Sequence, residues 1–302
     1  MMKSPSDEFT LNMWADRRFD IEAAIYDGYY EDRDESPHRD HLGASDIGNE
    51  CPRHIWYTYR HAHRREFNPR LYKVFATGHR AEPIFANDLR RAGIEIEIEN
   101  KDGKQFSFTD YGGHVTVNLD GIGRVPDSLP AEHATSWKRV IFEMKTMSLK
   151  RFKTMTSKGL KAACPEYYRQ VQMQLHVAER QGEQFDGALF VAVCKDNDEN
   201  FVLEVKHDRE MQARLRKEVI SLLKGNVPDR LNVSEKVPPC RFCGYLKVCK
   251  QDRYDLIEKN CRTCNHASMV LKADNNPSGT WKCDLGHEFG TPCSDWGQYI
   301  GF

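Results

Sequence analysis

The run of residues 140–146, Val-Ile-Phe-Glu-Met-Lys-Thr, constrains the fold most strongly, because its charged side chains stand two positions apart in an apolar setting. Side chains two residues apart lie on one face of a β-strand, so Glu143 and Lys145 point together while their neighbours face a core. The preceding segment 114–121 also alternates and ends in Asp120 followed by glycine, which predicts a strand that runs into a turn. Two neighbouring strands would then bring Asp120 beside Glu143.

These residue types match the needs of a site that cleaves phosphodiesters. Hard divalent cations such as Mg²⁺ and Mn²⁺ take oxygen ligands, usually a few carboxylates together with waters and phosphate oxygens. Such a cation lowers the pKa of a bound water and stabilises charge on phosphorus. Lys145 would orient that water or help to deprotonate it. The alternative interpretation is an ordinary exposed Glu-x-Lys pair on an amphipathic strand, since this tripeptide is common.

An upstream segment, residues 75–85, has a helical pattern and supplies a third carboxylate. Gly78, His79 and Glu82 fall on one face of that helix, and the glycine leaves room for close approach. Glu82 is therefore a candidate metal ligand. His79 is its rival for the same position, and a surface histidine on a helix is the alternative explanation of that residue.

A downstream segment carries a polar stripe on a predicted helix. Tyr167, Gln170 and Gln174 recur at i, i+3 and i+7, which places them on one face that a hydrophobic core would not tolerate. Such a stripe suits contact with a phosphate or with a metal-bound water.

The order Gly-x-x-x-Glu, Asp-Gly, Glu-x-Lys and Tyr-x-x-Gln-x-Gln resembles the PD-(D/E)xK nuclease superfamily, in particular its RecB-like and lambda-exonuclease-like exonucleases. The resemblance covers roughly residues 43–250 and implies an α/β fold in which a central mixed β-sheet is flanked by helices, the restriction-endonuclease-like core. It also implies roles for six side chains. These are the metal ligands Glu82, Asp120 and Glu143, the catalytic lysine Lys145, and the helix residues Gln170 and Tyr167.

Cysteine usage is a second, independent signal. The chain has ten cysteines, most of them in two clusters after residue 239. The N-terminus is polar and no apolar run reaches membrane-spanning length, so we expect a cytoplasmic protein without a membrane partner. In that reducing compartment, closely spaced cysteines indicate metal binding rather than disulfides. The isolated Cys164 and Cys194 are expected to be small buried residues.

The first cluster has the pattern C-x₂-C-x₅-C and offers three thiolates, so a fourth ligand is needed. Cys51, far upstream, can supply it. This arrangement on either side of a Glu-x-Lys core resembles the iron–sulfur RecB-like nucleases, including the CRISPR-adaptation exonucleases. The resemblance implies a [4Fe–4S] cluster that would clamp the two ends of the nuclease domain. The implied ligands are Cys51, Cys240, Cys243 and Cys249. Zinc in place of the cluster, or unligated thiols, are the alternatives.

The second cluster has C-x₂-C-x₁₈-C-x₃-H spacing in a polar stretch with few aliphatic residues. A segment too small for its own core needs a staple. Tetrahedral Zn²⁺ on two ligand pairs is the expected solution, which gives a small zinc-ribbon-like appendage. The predicted ligands are Cys261, Cys264, Cys283 and His287. Cys293 could replace His287, and His266 is a weaker competitor.

Charge and composition limit the kinds of partner that this chain can bind. Charged residues make up 29% of the chain, yet the formal net charge is −1, which argues against binding nucleic acid by overall charge. Contact with DNA would have to come from a local groove. The basic run from Lys145 to Lys161 could line the DNA path, or it could be a solvated helix face. The resemblance implies single-stranded DNA or duplex ends as substrate, with a replication or recombination protein as a further partner.

Periodicity predicts the element order. We expect helices at about 44–60 and 69–92, then four strands up to Lys145, a helix at 165–182, two more strands and a helix from about Asp208. The predicted domains are an N-terminal extension (1–42), the nuclease domain with its cluster (43–250) and the zinc module (257–302). The alternative function, from a different class, is a catalytically silent iron–sulfur protein that binds nucleic acid or scaffolds a complex.

Overall fold

A computed structural model describes residues 21–32, 38–63, 68–126, 137–271 and 280–299. Within these residues the chain forms two compact units. The first comprises residues 21–32 and 68–81, and the second comprises residues 38–63 together with the described residues from Glu82 onward. No helix in the described ranges combines the length and apolar character needed to cross a membrane.

Nine helical segments of the described residues are used below. In chain order they are α1 (21–31), α2 (Ala44–Gly48), α3 (Pro52–Tyr59), α4 (Pro69–Arg91), α5 (Leu149–Lys158), α6 (Leu160–Ala163), α7 (Pro165–Arg180), α8 (Arg209–Leu223) and α9 (Leu246–Lys250). In the first unit, α1 packs on the N-terminal part of α4, where the rings of Tyr30 and Tyr72 meet edge-on with their centroids 5.9 Å apart.

The strands build three sheets in the second unit. In chain order they are β1 (Leu42–Gly43), β2 (Glu95–Glu97), β3 (Phe106–Asp110), β4 (Val115–Leu119), β5 (Gly121–Arg124), β6 (Arg139–Met147), β7 (Gly187–Cys194), β8 (Asn200–Val205), β9 (Ala267–Val270) and β10 (Thr280–Cys283). The five-stranded sheet has the order β2-β5-β6-β7-β8 and is mixed, because only the β6–β7 pair is parallel. The other sheets are β1-β4-β3 and the β9–β10 hairpin. This confirms the predicted mixed α/β architecture.

Burial patterns explain the positions of the strands. All eight residues of β7 are buried, as expected for a central strand that is covered on both faces. The edge strand β8 alternates between exposed and partly buried residues. Helix α7 packs against both the three-stranded sheet and the five-stranded sheet, so its buried face joins the two. The polar residues of α7 are thereby brought to the middle of β6.

Glycines in β5 allow close approach between neighbouring strands. A Cβ atom at Gly123 would clash with the ring of Phe142 on β6 and would lie 2.5 Å from the carbonyl oxygen of Glu95 on β2. At Gly121 a Cβ atom would lie 3.0 Å from Ile96. Only glycine therefore lets β5 pair with both of its neighbours in the observed register.

The predicted helix at 44–60 is two helices, α2 and α3. Residues Asn49 to Cys51 interrupt it, and Cys51 has an extended backbone with φ −100° and ψ 105°. The following Pro52 is the cause, because a residue before proline disfavours helical angles while proline suits the first position of a new helix. Cys51 thus lies at the N-cap of α3.

The C-terminal segment packs on α3 within one hydrophobic cluster that includes Tyr59, Cys264 and Trp281. The guanidinium of Arg262 lies 5.3 Å from the ring centroid of Tyr59 and 5.0 Å from that of Trp281. Arg60 donates a hydrogen bond of 2.9 Å to the carbonyl of Arg262. The boundary predicted between the nuclease domain and the zinc module, at residues 250–257, stays a prediction. Residues on both sides of it belong to the same hydrophobic cluster.

Asp208 caps α8, and its removal gives a testable change in stability. Its carboxylate accepts hydrogen bonds from the Met211 backbone (3.0 Å), the Tyr168 hydroxyl (2.9 Å) and the Lys161 ammonium (2.7 Å). Lys161 and the Met211 N–H lower the pKa of Asp208 to about 2. We expect Asp208→Ala to reduce the free energy of unfolding by about 1–2 kcal/mol at pH 7, as measured by urea denaturation.

The pH dependence of this effect follows from the lowered pKa. The stabilisation by the ionised carboxylate is complete above the unfolded pKa near 4 and is lost as the pH falls through about 2. The difference between wild type and Asp208→Ala should therefore shrink between pH 5 and pH 2.5. Asp208→Asn is the matched control, since it keeps an N-cap acceptor and should retain part of the stability. An equal loss in both variants would contradict the capping role.

Candidate active site

Asp120 and Glu143 meet where β4 passes into β5. Asp120 lies between these strands, and the pairing of Gly121 with Phe142 sets it opposite Glu143 on β6. Its Oδ2 atom accepts a hydrogen bond of 2.8 Å from the Met144 backbone N–H. The Glu143 side chain is completely buried. The two carboxylates predicted from the sequence are thus adjacent, and one of them has no access to water.

Two glutamines of α7 hold the Glu143 carboxylate. Gln170 Nε2 donates to Oε1 at 2.6 Å, and Gln174 Nε2 donates to Oε2 at 2.7 Å. Gln174 Nε2 also donates to the carbonyl of Asn118 at 3.0 Å. Both partners of this nitrogen are acceptors, so the amide orientation is defined. Gln174 Oε1 is buried without a hydrogen-bond partner in the described structure, which leaves an acceptor suited to a bound water.

Lys145 lies between the two carboxylates. Its Nζ atom forms an ion pair with Glu143 and lies 3.7 Å from Asp120 Oδ2. It also donates to the Met144 carbonyl at 3.2 Å and lies 5.7 Å from the centroid of the Tyr167 ring. The sequence-predicted Asp120, Glu143, Lys145, Gln170 and Tyr167 are therefore brought together around one point.

The electrostatics of this group favour a cation. Burial and, to a smaller extent, the negative charge of Asp120 raise the pKa of Glu143 to about 7, against the opposing effect of Lys145. Burial alone would lower the pKa of Lys145, but the carboxylates of Glu143 and Asp120 outweigh it and raise that pKa. Oxygen donors that repel one another and already surround an ammonium fit a hard divalent cation.

Glu82 is the third predicted metal ligand. It lies half-buried on α4 in the second unit, while the exposed His79 belongs to the first. Among the described residues, one group of three or more His, Cys, Asp or Glu side chains has ligand atoms, one from each residue, that all lie within 4.8 Å of one another. That group is His287, Cys293 and Asp295. Glu82, Asp120 and Glu143 are thus not within that distance together, and the role of Glu82 stays a prediction.

The first cysteine group surrounds the N-terminus of α3. Burial raises the pKa of Cys51, the N–H groups of His54 and Arg53 lower it, and the sulfurs of Cys249 and Cys240 raise it further. Cys243 Sγ lies 3.4 Å from Nδ1 of His54, one turn along the same helix. These contacts place the four cysteines in one region, and among the described residues no three of their sulfurs lie within 4.8 Å of one another. A shared metal or cluster would relieve the burial and mutual repulsion of their thiolates.

The second cysteine group lines a cavity of about 20 Å³ in the C-terminal segment. Its potential ligands are Cys261, Cys264, His266, Cys283, His287 and Cys293. The four predicted ligands thus face the same space. Their atoms do not all lie within 4.8 Å of one another, whereas His287, Cys293 and Asp295 do, and His287 Nε2 lies 2.8 Å from Asp295 Oδ2. The choice between His287 and Cys293 stays open.

Three residues near these sites were missed by the sequence reasoning. His54 could have been found, because it follows Cys51 by three positions in a helix and so shares its face. Asp295 lies two residues after Cys293, but nothing in the sequence pairs it with His287. Arg151, described below, stood out only as one member of a basic run. Cys164 and Cys194 are fully buried, as predicted.

Comparisons with known proteins return solved structures alone. No protein-family model matches the chain, and no curated protein does. The protein SSO0001 is 17% identical, with a TM-score of 0.43, over 76% of this chain and 96% of its own. The alkaline exonuclease LHK-Exo from Laribacter hongkongensis is 18% identical, with a TM-score of 0.41, over 62% of this chain and 87% of its own. The structure of its complex with dAMP is 16% identical, with a TM-score of 0.42, over the same shares of the two chains. The function of this chain is therefore inferred from its own side chains.

Proposed function

We propose that this protein is a DNA exonuclease that hydrolyses phosphodiester bonds and depends on Mg²⁺ or Mn²⁺. One observation carries the proposal. A completely buried glutamate, Glu143, faces Asp120 across paired strands, and the Lys145 ammonium touches both. Mutually repelling carboxylates are costly to bury and add little to a purely structural core. Their convergence with one amine is what a metal-assisted hydrolase needs.

Each residue then has a defined task. Asp120 and Glu143, with Glu82 as the third predicted ligand, would hold the divalent ion, which supplies an activated water and neutralises charge on the phosphate. Lys145 donates hydrogen bonds toward the attacking water and the reacting phosphate. Gln170 and Gln174 keep the Glu143 oxygens turned toward the site. Tyr167 limits the positions that the Lys145 side chain can adopt.

The sulfur ligands complete the proposal. We assign a [4Fe–4S] cluster to Cys51, Cys240, Cys243 and Cys249, supported by their gathering at the N-terminus of α3. We assign Zn²⁺ to the cavity lined by Cys261, Cys264, Cys283 and His287, with Cys293 as the alternative fourth ligand. Both would act as structural staples. Iron, sulfide and zinc analysis of anaerobically purified protein tests them, and protein without bound metal that folds to the same stability would contradict them.

The substrate and setting follow from the resemblance noted above. Single-stranded DNA or duplex ends would be the substrate, in recombination, replication or repair of phage or CRISPR-type DNA. A replication or recombination protein would be a partner. The intracellular, cytoplasmic location stays a proposal.

Metal-dependent cleavage tests the proposal directly. We expect the wild-type protein to shorten end-labelled DNA progressively in Mn²⁺ or Mg²⁺ and to leave it intact in EDTA. Asp120→Asn should lose most of this activity, because an amide oxygen is a weaker ligand for a hard cation than a carboxylate. Gel electrophoresis of single- and double-stranded substrates provides the measurement. DNA binding without metal-dependent cleavage would instead support the silent scaffold.

A further inference from the structure

The chain directly after the candidate catalytic strand is strongly basic. Residues 149–163, which form α5 and α6, contain four lysines and one arginine and no acidic residue. The whole chain has a formal net charge of −1, so this concentration of positive charge is local. Exposed basic residues beside a phosphodiester-cleaving site would attract a nucleic-acid strand. Arg151 and Lys161 each contact a tyrosine ring of α7 and a carboxylate, and the ring beside Arg151 is the one that also lies near Lys145.

Arg151 and Lys145 share one aromatic ring. The guanidinium of Arg151 lies 4.8 Å from the centroid of the Tyr167 ring, and the Lys145 ammonium lies 5.7 Å from the same centroid. Tyr167 is itself stacked on Phe190 of β7, with centroids 5.9 Å apart. The ring is therefore fixed by the core, and it positions an arginine beside the candidate catalytic lysine.

The guanidinium is accessible and holds an acidic partner. The Arg151 side chain is 42% exposed and forms an ion pair with Glu166, which is 37% exposed. A carboxylate presents two oxygens to the planar guanidinium of arginine, much as a phosphate does. An ion pair that is this exposed is weak, so an incoming phosphate can replace the glutamate at low cost.

We infer that Arg151 binds a phosphate of the DNA strand next to the phosphodiester that reacts, and that Glu166 occupies this subsite until the strand displaces it. The inference rests on the proposed nuclease function, because the reacting phosphodiester is placed at Glu143 and Lys145. It assigns the ligand by chemistry, as a backbone phosphate of a nucleic acid. Arg151 is a substrate-binding residue here, and Lys145 remains the catalytic one.

The test measures binding in the absence of cleavage. Fluorescence anisotropy of a labelled single-stranded oligonucleotide, with no Mg²⁺ or Mn²⁺ added, should show that Arg151→Ala raises Kd roughly tenfold, or about 1.4 kcal/mol. Arg151→Lys should fall between this variant and wild type, since it keeps the charge and loses the fork. Lys150→Ala is the matched control. It removes one exposed charge from the adjacent position of α5 and should change Kd by less than about threefold.

Glu166→Gln distinguishes this subsite from a merely structural ion pair. If Glu166 competes with phosphate, its neutralisation frees Arg151, and we expect Kd to fall by about threefold, roughly 0.65 kcal/mol. A structural ion pair predicts the same small tightening with or without Arg151, because one negative charge is removed in either case. Competition predicts that Glu166→Gln leaves Kd unchanged in the Arg151→Ala background. Thermal unfolding of each variant shows whether it is folded.

Two results would overturn the inference, namely equal losses of affinity in Arg151→Ala and Lys150→Ala, or no tightening in Glu166→Gln. Either can occur while wild-type protein still cuts DNA, so the proposed function would survive. If the protein showed no metal-dependent cleavage while the variants showed the expected changes in affinity, the proposed function would be wrong and Arg151 would remain a phosphate-binding residue.

Discussion

Replacing Lys145 with alanine is expected to lower the rate of metal-dependent DNA cleavage by roughly 10²–10³-fold. The ammonium lies between Glu143 and Asp120, so its removal takes away a donor for the reacting phosphate. It also leaves a buried carboxylate facing a second one without a cation. With no divalent ion bound, the loss of Lys145 should raise the pKa of Glu143 further, because the ammonium opposes the rise caused by burial and by the charge of Asp120.

Single-turnover cleavage of end-labelled DNA at saturating Mn²⁺ measures this effect. Lys217→Ala, an exposed lysine on α8, is the control and should cleave at the wild-type rate. A Lys145→Ala protein that cleaves as fast as wild type would show that the site has been assigned to the wrong residues.

Replacing Trp281 with alanine is expected to reduce the free energy of unfolding by about 3–5 kcal/mol. Trp281 is 6% exposed, and the centroid of its ring lies 5.3 Å from that of Tyr59 on α3 and 6.0 Å from that of Phe289. The guanidiniums of Arg60 and Arg262 lie 5.5 and 5.0 Å from its centroid. Truncation would leave a cavity between α3 and the C-terminal segment, and two buried cations would each lose one of their aromatic partners.

Chemical denaturation of wild type and variant at constant metal content provides the measurement. Trp281→Phe keeps an aromatic ring at the same position and should retain most of the stability. If Trp281→Ala unfolded at the wild-type denaturant concentration, the C-terminal segment would be an independent appendage, as the sequence alone suggested, and the contacts with α3 would contribute nothing.

The sequence was most informative where side-chain periodicity was strong. Alternation through residues 140–146 predicted β6 and the shared face of Glu143 and Lys145, and the spacing in α7 predicted that Tyr167 and Gln170 would reach the same place. These are local regularities that follow from the geometry of strands and helices. The complete burial of Glu143 was not predictable, because it depends on α7 covering β6 from a distant part of the chain.

Long-range packing explains what the sequence did not reveal. The docking of the C-terminal segment uses Arg60 and Arg262, which are ordinarily surface residues and are buried here because aromatic rings and backbone carbonyls surround them. No periodicity marks such residues in advance. The position of Glu82 relative to Asp120 likewise depends on how α4 lies against the sheet, and helical spacing carries no information on that distance.

Position 123 has a consequence for how this protein could diversify. Strand β5 begins directly after Asp120, and only glycine at position 123 lets it fit between β2 and β6. Even alanine there would push β6 away and separate the carboxylates of Asp120 and Glu143. Saturation mutagenesis should therefore find this residue nearly as intolerant as the acidic ones, although it has no side chain to contribute. Variation in activity among descendants of this chain would have to arise elsewhere, in the exposed helices that border the site.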